Sequence, residues 1–386
     1  MILINSLHFN ILQDIQSKDD SNFIVQQTNE IMYDLNFKEL IFYNNIGFAI
    51  GYDSYLYTLD FSNPPYPVVI GSLKLVNNVV GDMKYWNGFL YLPCRSFGFK
   101  IIDVRSLTYP VLAYTFSPSY SYSVNVLEII NGYLIVPISF LFAIRIYDIT
   151  DNYNPIVISE IEVIGLEEGY GDIIYSSNRI QLTAADEIAI VEYESVSSIG
   201  EPIRISYSLL NHLITLYSLG EYRDYTLVTS SAMNNSDITF KSSFLRYDPS
   251  EEPHPNLFAI TTLIDGDFRK SVYLGSNIFV ADYYNGLRIF KIINSNEIQQ
   301  LSTYFIQSAV NLEFYENYIY LMTSYNNTLI LDVKNTSKPM LYLPINYHTG
   351  NHTLIIGVHH FLLVMINFII MIIRKKRKNN HLIIFS

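Results

Sequence analysis

The chain has 386 residues, 49% hydrophobic and only 16% charged, so a sizeable core is available and a disordered chain is excluded. Five of its 24 basic residues lie together at Arg374–Lys378, and the 19 that remain face 36 acidic ones; a body that acidic argues against nucleic acid as a partner. The single cysteine, Cys94, excludes an internal disulfide framework and any multi-cysteine metal site.

Residues 1–22 form a poorly defined N-terminal segment. It is mildly apolar but lacks the basic start and small-residue cleavage site of a secretory signal. From about Phe23 the sequence becomes strand-like, rich in Tyr, Phe, Ile and Val, which pack well on pleated surfaces. An acidic residue then closes an apolar run again and again: Asp60, Asp103, Asp148, Glu192, Asp248 and Asp332, with Lys291 standing in the sixth unit. A proline follows seven residues later in five units, at Pro67, Pro110, Pro155, Pro255 and Pro339, and ten residues later at Pro202 in the fourth. The spacing between anchors stays near 43 residues except between the fourth and fifth, so the chain is an internal repeat.

Upstream of the anchor most units carry a hairpin signal. Asn87-Gly88 and Asn131-Gly132 are the strongest, because both residue types tolerate the positive φ of a type I′ turn. Asn44-Asn45, Ser177-Asn178, Ser276-Asn277 and Glu316-Asn317 are weaker versions at matching places. Each unit therefore reads as strand, tight turn, strand, loop, strand ending in an acid, polar turn, then proline and a fourth strand. Four antiparallel strands per period is one propeller blade, and residues 23–347 are predicted to be an all-β, seven-bladed β-propeller of four-stranded antiparallel blades. The acids suit turn closure, since a carboxylate leaving a strand accepts backbone N–H groups just ahead of it. Proline suits the start of an edge strand, where no donor is missed.

Unit five is longer than the rest, and Ser230–Asp237 reads as an elongated exposed loop. After the last unit, residues 348–352 form a short polar stalk. Thr353–Ile373 then runs 21 residues without Asp, Glu, Lys or Arg, which as a helix spans roughly 32 Å, enough for a bilayer core. A basic tail, 374–386, follows at once. The sequence thus predicts one C-terminal transmembrane helix at 353–373 with the tail cytoplasmic and the propeller extracellular; a tail-anchored protein with a cytoplasmic propeller is the alternative.

Segments such as Gly98-Phe-Lys-Ile-Ile-Asp-Val104 with Tyr109-Pro110, and Gly286-Leu-Arg-Ile-Phe290, resemble the LVIVD repeat. The resemblance covers nearly everything between about residue 36 and residue 346; units two, three, six and seven match best. It implies a propeller-type fold of the kind found largely in bacterial and archaeal surface or secreted proteins. It carries no shared catalytic residues, so it assigns none here.

The search for chemistry along the chain turns up no catalytic motif, and no cofactor or metal site is expected. Only His212 and His254 lie among the blades, too few for a multi-histidine metal centre. Asp265-Gly-Asp267 and Asp148–Asn152 bring carboxylates close enough to share a Ca²⁺, but neither follows the twelve-residue loop spacing, and turn chemistry is the preferred reading. His359 and His360 fall inside the apolar span. Asn234, Asn326, Asn335 and Asn351 head glycosylation sequons. The expectation is a membrane-anchored, non-catalytic cell-surface module with a protein or glycan partner at one propeller face. The alternative is a propeller enzyme or a Ca²⁺-dependent sensor using the central channel. The two separate on the channel wall: several carboxylates or a histidine cluster converging within about 3 Å of one point favour the alternative, and scattered apolar and hydroxyl residues exclude it.

Overall fold

The computed structural model describes residues 36–342 except for 77–81, 118–122, 139–142, 164–169, 185–186, 196–198, 200, 203, 210–213, 223–224, 235–238, 249–257, 262–263 and 326–327. The predicted stalk, transmembrane helix and basic tail lie outside the described residues, as do His212, His254, His359, His360, Pro255, Asn326 and Asn351. Among the described residues no helix is long and apolar enough to cross a membrane.

Seven antiparallel sheets follow one another along the chain: blade 1 at 37–74, blade 2 at 84–116, blade 3 at 128–162, blade 4 at 170–209, blade 5 at 214–265, blade 6 at 268–304 and blade 7 at 309–341. Together they make an all-β, seven-bladed propeller. Blade 2 shows the plan. Its inner strand Lys84–Trp86 turns through Asn87-Gly88 into Phe89–Pro93, which pairs with Phe99–Asp103, which pairs with the outer strand Val111–Phe116. Asn87 and Gly88 take φ of 46° and 86°, as Asn131 and Gly132 take 47° and 86° in blade 3, which only small or amide side chains do cheaply. In blade 6 the turn is Gly275-Ser276 rather than Ser276-Asn277, because Asn277 already opens the second strand.

The anchors sit at the ends of third strands. The carboxylates of Asp60, Asp103, Asp148 and Asp332 each accept the backbone N–H two residues on, at 2.8–3.0 Å. Glu192 instead pairs with Arg179 at 2.8 Å and Arg204 at 2.6 Å. Pro67, Pro110, Pro155 and Pro339 stand immediately before outer strands, and Pro202 two residues before one; Asp248 directly follows its third strand.

Unit five departs from its expected loop. Tyr225–Asn234 and Thr239–Tyr247 form a long paired hairpin, and Ser230 and Ser231 are buried within it. Their hydroxyls meet those of Ser243 and Ser242 at 2.9 and 2.5 Å, so polar residues that read as solvent-facing satisfy one another across the pair. The outer strand of this blade is split into two short pieces, Phe258–Ala259 and Ile264–Asp265, both pairing with Thr239–Tyr247.

The core is a set of slabs between blades, not one centre. Phe48, Ile50 and Leu56 of blade 1 pack on Leu90, Leu92 and Ile102 of blade 2. Comparable clusters join blades 2 and 3, 3 and 4, 4 and 5, 5 and 6, and 6 and 7. Three joints add a polar latch from the same position of the second strand. Tyr91 donates to the Asn152 side chain of blade 3, Gln181 accepts from Thr226 and Tyr247 of blade 5 at 2.6 and 2.5 Å, and Tyr320 donates to the Pro64 carbonyl of blade 1 at 2.6 Å. Blade 7 thus joins blade 1 as blade 2 joins blade 3. Among the described residues no strand is exchanged at this closure. Phe42 stacks on Tyr315 with ring centroids 4.5 Å apart, and Phe61 packs edge-on against Phe42 and Tyr320.

Candidate functional site

The inner strands all run the same way along the central channel, so alternate residues of each line it. In blades 1, 4, 5, 6 and 7 the inner strand carries a bulge, at Phe37/Glu39, Tyr170/Asp172, Leu216/Ser218, Phe268/Lys270 and Ala309/Asn311. The extra residue of each bulge is Lys38, Gly171, Tyr217, Arg269 and Val310, and all five line one mouth of the channel. Just past the bulge come Glu39, Asp172, Ser218, Lys270 and Asn311. Counting back from the hairpin turn places Asp82 of blade 2 level with them. Two residues further on, Lys84, Glu128 and Glu313 share a second level at the same offset from their turns.

Five carboxyl groups and two ammonium groups are thereby gathered onto the channel wall from six blades. Lys270 pairs with Asp82, and Lys84 with Glu128 at 2.9 Å. Burial works to raise the Asp82 carboxyl, but Lys270 and Lys84 outweigh it and hold it below the usual range. Burial likewise opposes charge on Lys270, and Asp82, Asp172 and Glu39 prevail, keeping it protonated. The other three acids lack a full cationic partner. Asp172 accepts the Leu219 and Ile173 N–H groups at 2.9 Å, yet burial raises it. Glu39 accepts from Asn311 at 2.9 Å and is raised well above the carboxylate range by burial and then by Asp82. Burial, with Asp82 adding to it, pushes Glu313 up to about 7.

Two cavities open onto these levels. The one at the turn end, about 530 Å³, is lined by Glu39, Asp82, Lys84 and Glu313 below and by Phe42, Tyr43, Tyr85 and Trp86 above. Tyr43 and Tyr85 stack with centroids 4.1 Å apart, making an aromatic shelf beside the carboxyl groups. The cavity at the bulge end, about 460 Å³, shares Glu39 and Asp82 and adds Lys38, Tyr52, Arg95, Tyr217, Arg269 and Lys270.

None of the acids named from sequence lies in the channel. Asp60, Asp103, Asp148, Glu192 and Asp332 end third strands, two strands out from the channel wall. The proposed Ca²⁺ pairs are occupied by protein groups: Asp265 pairs with Lys241, Asp267 with Arg269 at 2.5 Å, and Asp151 and Asn152 serve their own turn and the Tyr91 latch. Among the described residues no three His, Cys, Asp or Glu side chains group as metal ligands. Asn335 is exposed in a turn, and Asn234 ends a strand. Cys94 is fully buried, its thiol pushed up to about 11 by burial. The channel residues were missed although a signal exists: Lys84, Glu128 and Glu313 each stand three residues before a hairpin turn, in a chain poor in charge.

Residues 307–349 match the family model for the LVIVD repeat. No curated protein sequence matches the chain. Solved structures share the fold at low identity. The periplasmic gluconolactonase PpgL of Pseudomonas aeruginosa is 13% identical, with TM-score 0.58 over 72% of this chain and 88% of that one. A Bacteroides fragilis protein provisionally named a 6-phosphogluconolactonase is 9% identical, with TM-score 0.57 over 76% and 90%. BamB of Moraxella catarrhalis is 10% identical, with TM-score 0.50 over 74% and 81%.

These findings correct the expectation of a membrane-anchored, non-catalytic surface module. The fold is shared with propellers named as lactonases, so it does not imply display alone. The channel wall carries five carboxyl and two ammonium groups among its apolar residues, although no three acids of the described residues group as metal ligands.

Proposed function

We propose that this protein, which carries the LVIVD repeat, uses its central channel as a small-molecule site in which Glu313 exchanges a proton with a polyhydroxylated substrate. The observation that carries this is the two-level charged wall assembled from separate blades, with one carboxyl group poised near neutrality beneath an aromatic shelf. Burying that many ionisable groups costs stability unless they pair, and here three acids are left without full pairing. Such an arrangement is characteristic of sites selected for chemistry.

The parts suit acid–base work. A group titrating at about 7 gives and takes a proton at physiological pH, which typically contributes about 10²–10⁴ in rate. Lys84 and Asp82 offer a fixed donor and acceptor on either side, and the exposed Tyr43 ring of the shelf, with Trp86, suits the apolar face of a sugar ring. A cavity of about 530 Å³ takes a molecule of monosaccharide size. Sugar lactones are the first class to test, because similar propellers carry lactonase names.

The experiment is calorimetric titration of the full chain with sugars, polyols and sugar lactones, together with acid release from the lactones between pH 5 and 9. Turnover above the buffer background is expected, with an inflection near 7 that disappears in Glu313→Gln. If no member of the panel binds, the reading is wrong.

A further inference from the structure

The bulge end of the channel differs in character from the turn end. Its rim is built from bulge residues, and a bulge re-aims the side chain that it inserts. In blades 1 and 6 that side chain is cationic, Lys38 and Arg269, and in blade 5 it is Tyr217. Arg95 joins them from blade 2. Its backbone is held at φ 49° and bonded in both directions to Val124, N–H to carbonyl at 2.9 Å and carbonyl to N–H at 3.1 Å, which fixes where the side chain leaves the loop.

The charge at this rim is not balanced. Lys38 lies over the Tyr52 ring at 5.2 Å, and neither it nor Arg95 has a carboxylate partner among the described residues. Arg269 spends one nitrogen on Asp267 and one on the Tyr217 hydroxyl at 3.3 Å, while its Nε is buried without a hydrogen-bond partner. The two acids that reach this cavity do not offset the cations. Asp82 is held by Lys270, and Glu39 takes the Asn311 amide while burial works against its charged form. In a protein with a net charge of −12, a cavity whose rim holds two cations without a carboxylate partner among the described residues, beside an Arg269 paired with Asp267, is against the general trend.

We infer that this mouth is an oxyanion site, in which Lys38, Arg95 and Arg269 receive the phosphate group of a small phosphate ester between the Tyr52 and Tyr217 rings. Arginine presents a planar fork that matches phosphate oxygens two at a time, and lysine adds a point charge. A doubly charged group is favoured over a carboxylate because Lys38 and Arg95, neither with a carboxylate partner among the described residues, line one opening with Arg269 beside them. The cavity of about 460 Å³ leaves room for the body of the ester to reach toward Glu39 and the channel interior. The site stands at the opposite end from Glu313 and does not depend on proton exchange there.

Calorimetry and phosphorus NMR with inorganic phosphate test it, using the full chain at low ionic strength, with acetate titrated in parallel. Saturable phosphate binding is expected, stronger than acetate. It should weaken at least tenfold in the double variant Lys38→Gln/Arg95→Gln, whose thermal midpoint should stay near that of the parent because both side chains sit at the rim. Glu313→Gln should leave phosphate affinity unchanged, which separates failure here from failure of the acid–base reading. Absence of saturable phosphate binding, equal affinity in the folded double variant, or acetate binding as tightly as phosphate would each overturn the inference.

Discussion

Glu313 makes the fold pH-sensitive in a direction that can be worked out. Its carboxyl titrates at about 7 in the folded chain, against an ordinary value of about 4.3 in an unfolded one. The folded pKa is the higher, so the unfolded state loses its proton first as pH rises. Stability is therefore fullest below about pH 4 with respect to this group and declines from there to 7. Glu313→Gln removes the penalty: at pH 8 it should be more stable than the parent by up to about 3.6 kcal/mol, and at pH 4 the two should coincide. Thermal unfolding at both pH values measures this, and equal midpoints at pH 8 would show that channel water already solvates the charge. Cys94 offers a second check at this scale. A thiol that is fully buried and raised to about 11 should stay unreactive toward a disulfide reagent at pH 8 and react fully once the chain is unfolded.

Among the elements, the inner strands carry most of what is specific to this protein. Their bulges set which residues point along the channel, and without one the alternation beyond it would reverse. Gly220 shows how tightly these strands are packed. A Cβ there would lie 2.1 Å from the Tyr273 ring of the next blade, in a strand where no unusual φ is required. Gly220→Ala should destabilise the protein by about 1–3 kcal/mol, through overpacking rather than backbone strain. A shift in the urea midpoint reads this, and an unchanged midpoint would mean that the Tyr273 ring can turn away. The blade 5 hairpin makes the converse point. Ser230, Ser231, Ser242 and Ser243 look like loop residues in isolation, but a facing pair of hydroxyls supplies what each would otherwise take from water.

The ring closes where blade 7 meets blade 1, by aromatic packing and by side chains that bond to backbone groups across the joint. Phe42 lies between Tyr315, Tyr320 and Phe61, so Phe42→Ala should cost about 3 kcal/mol. Tyr320→Phe removes only the hydroxyl that bonds Pro64 and should cost about 1 kcal/mol. Urea unfolding of both variants tests the order, and a loss on Tyr320→Phe as large as that on Phe42→Ala would place closure in the hydrogen bond. The number and plan of the blades were legible in the sequence because their signals act over a few residues. Asn131-Gly132 makes its own turn, Asp148 closes the turn just ahead of it, and Pro155 opens the strand that follows. The channel was not legible. Glu39 and Asn311 are 272 residues apart in sequence and 2.9 Å apart in the fold, and Lys270 meets Asp82 across 188 residues. The sequence by itself determined the repeat, the order of strands within a blade and most of the turns, through backbone chemistry that needs no distant partner. Only the tertiary structure decided that five acids and two lysines share one channel, because pairing and desolvation of charge depend on which strands the closed ring brings together.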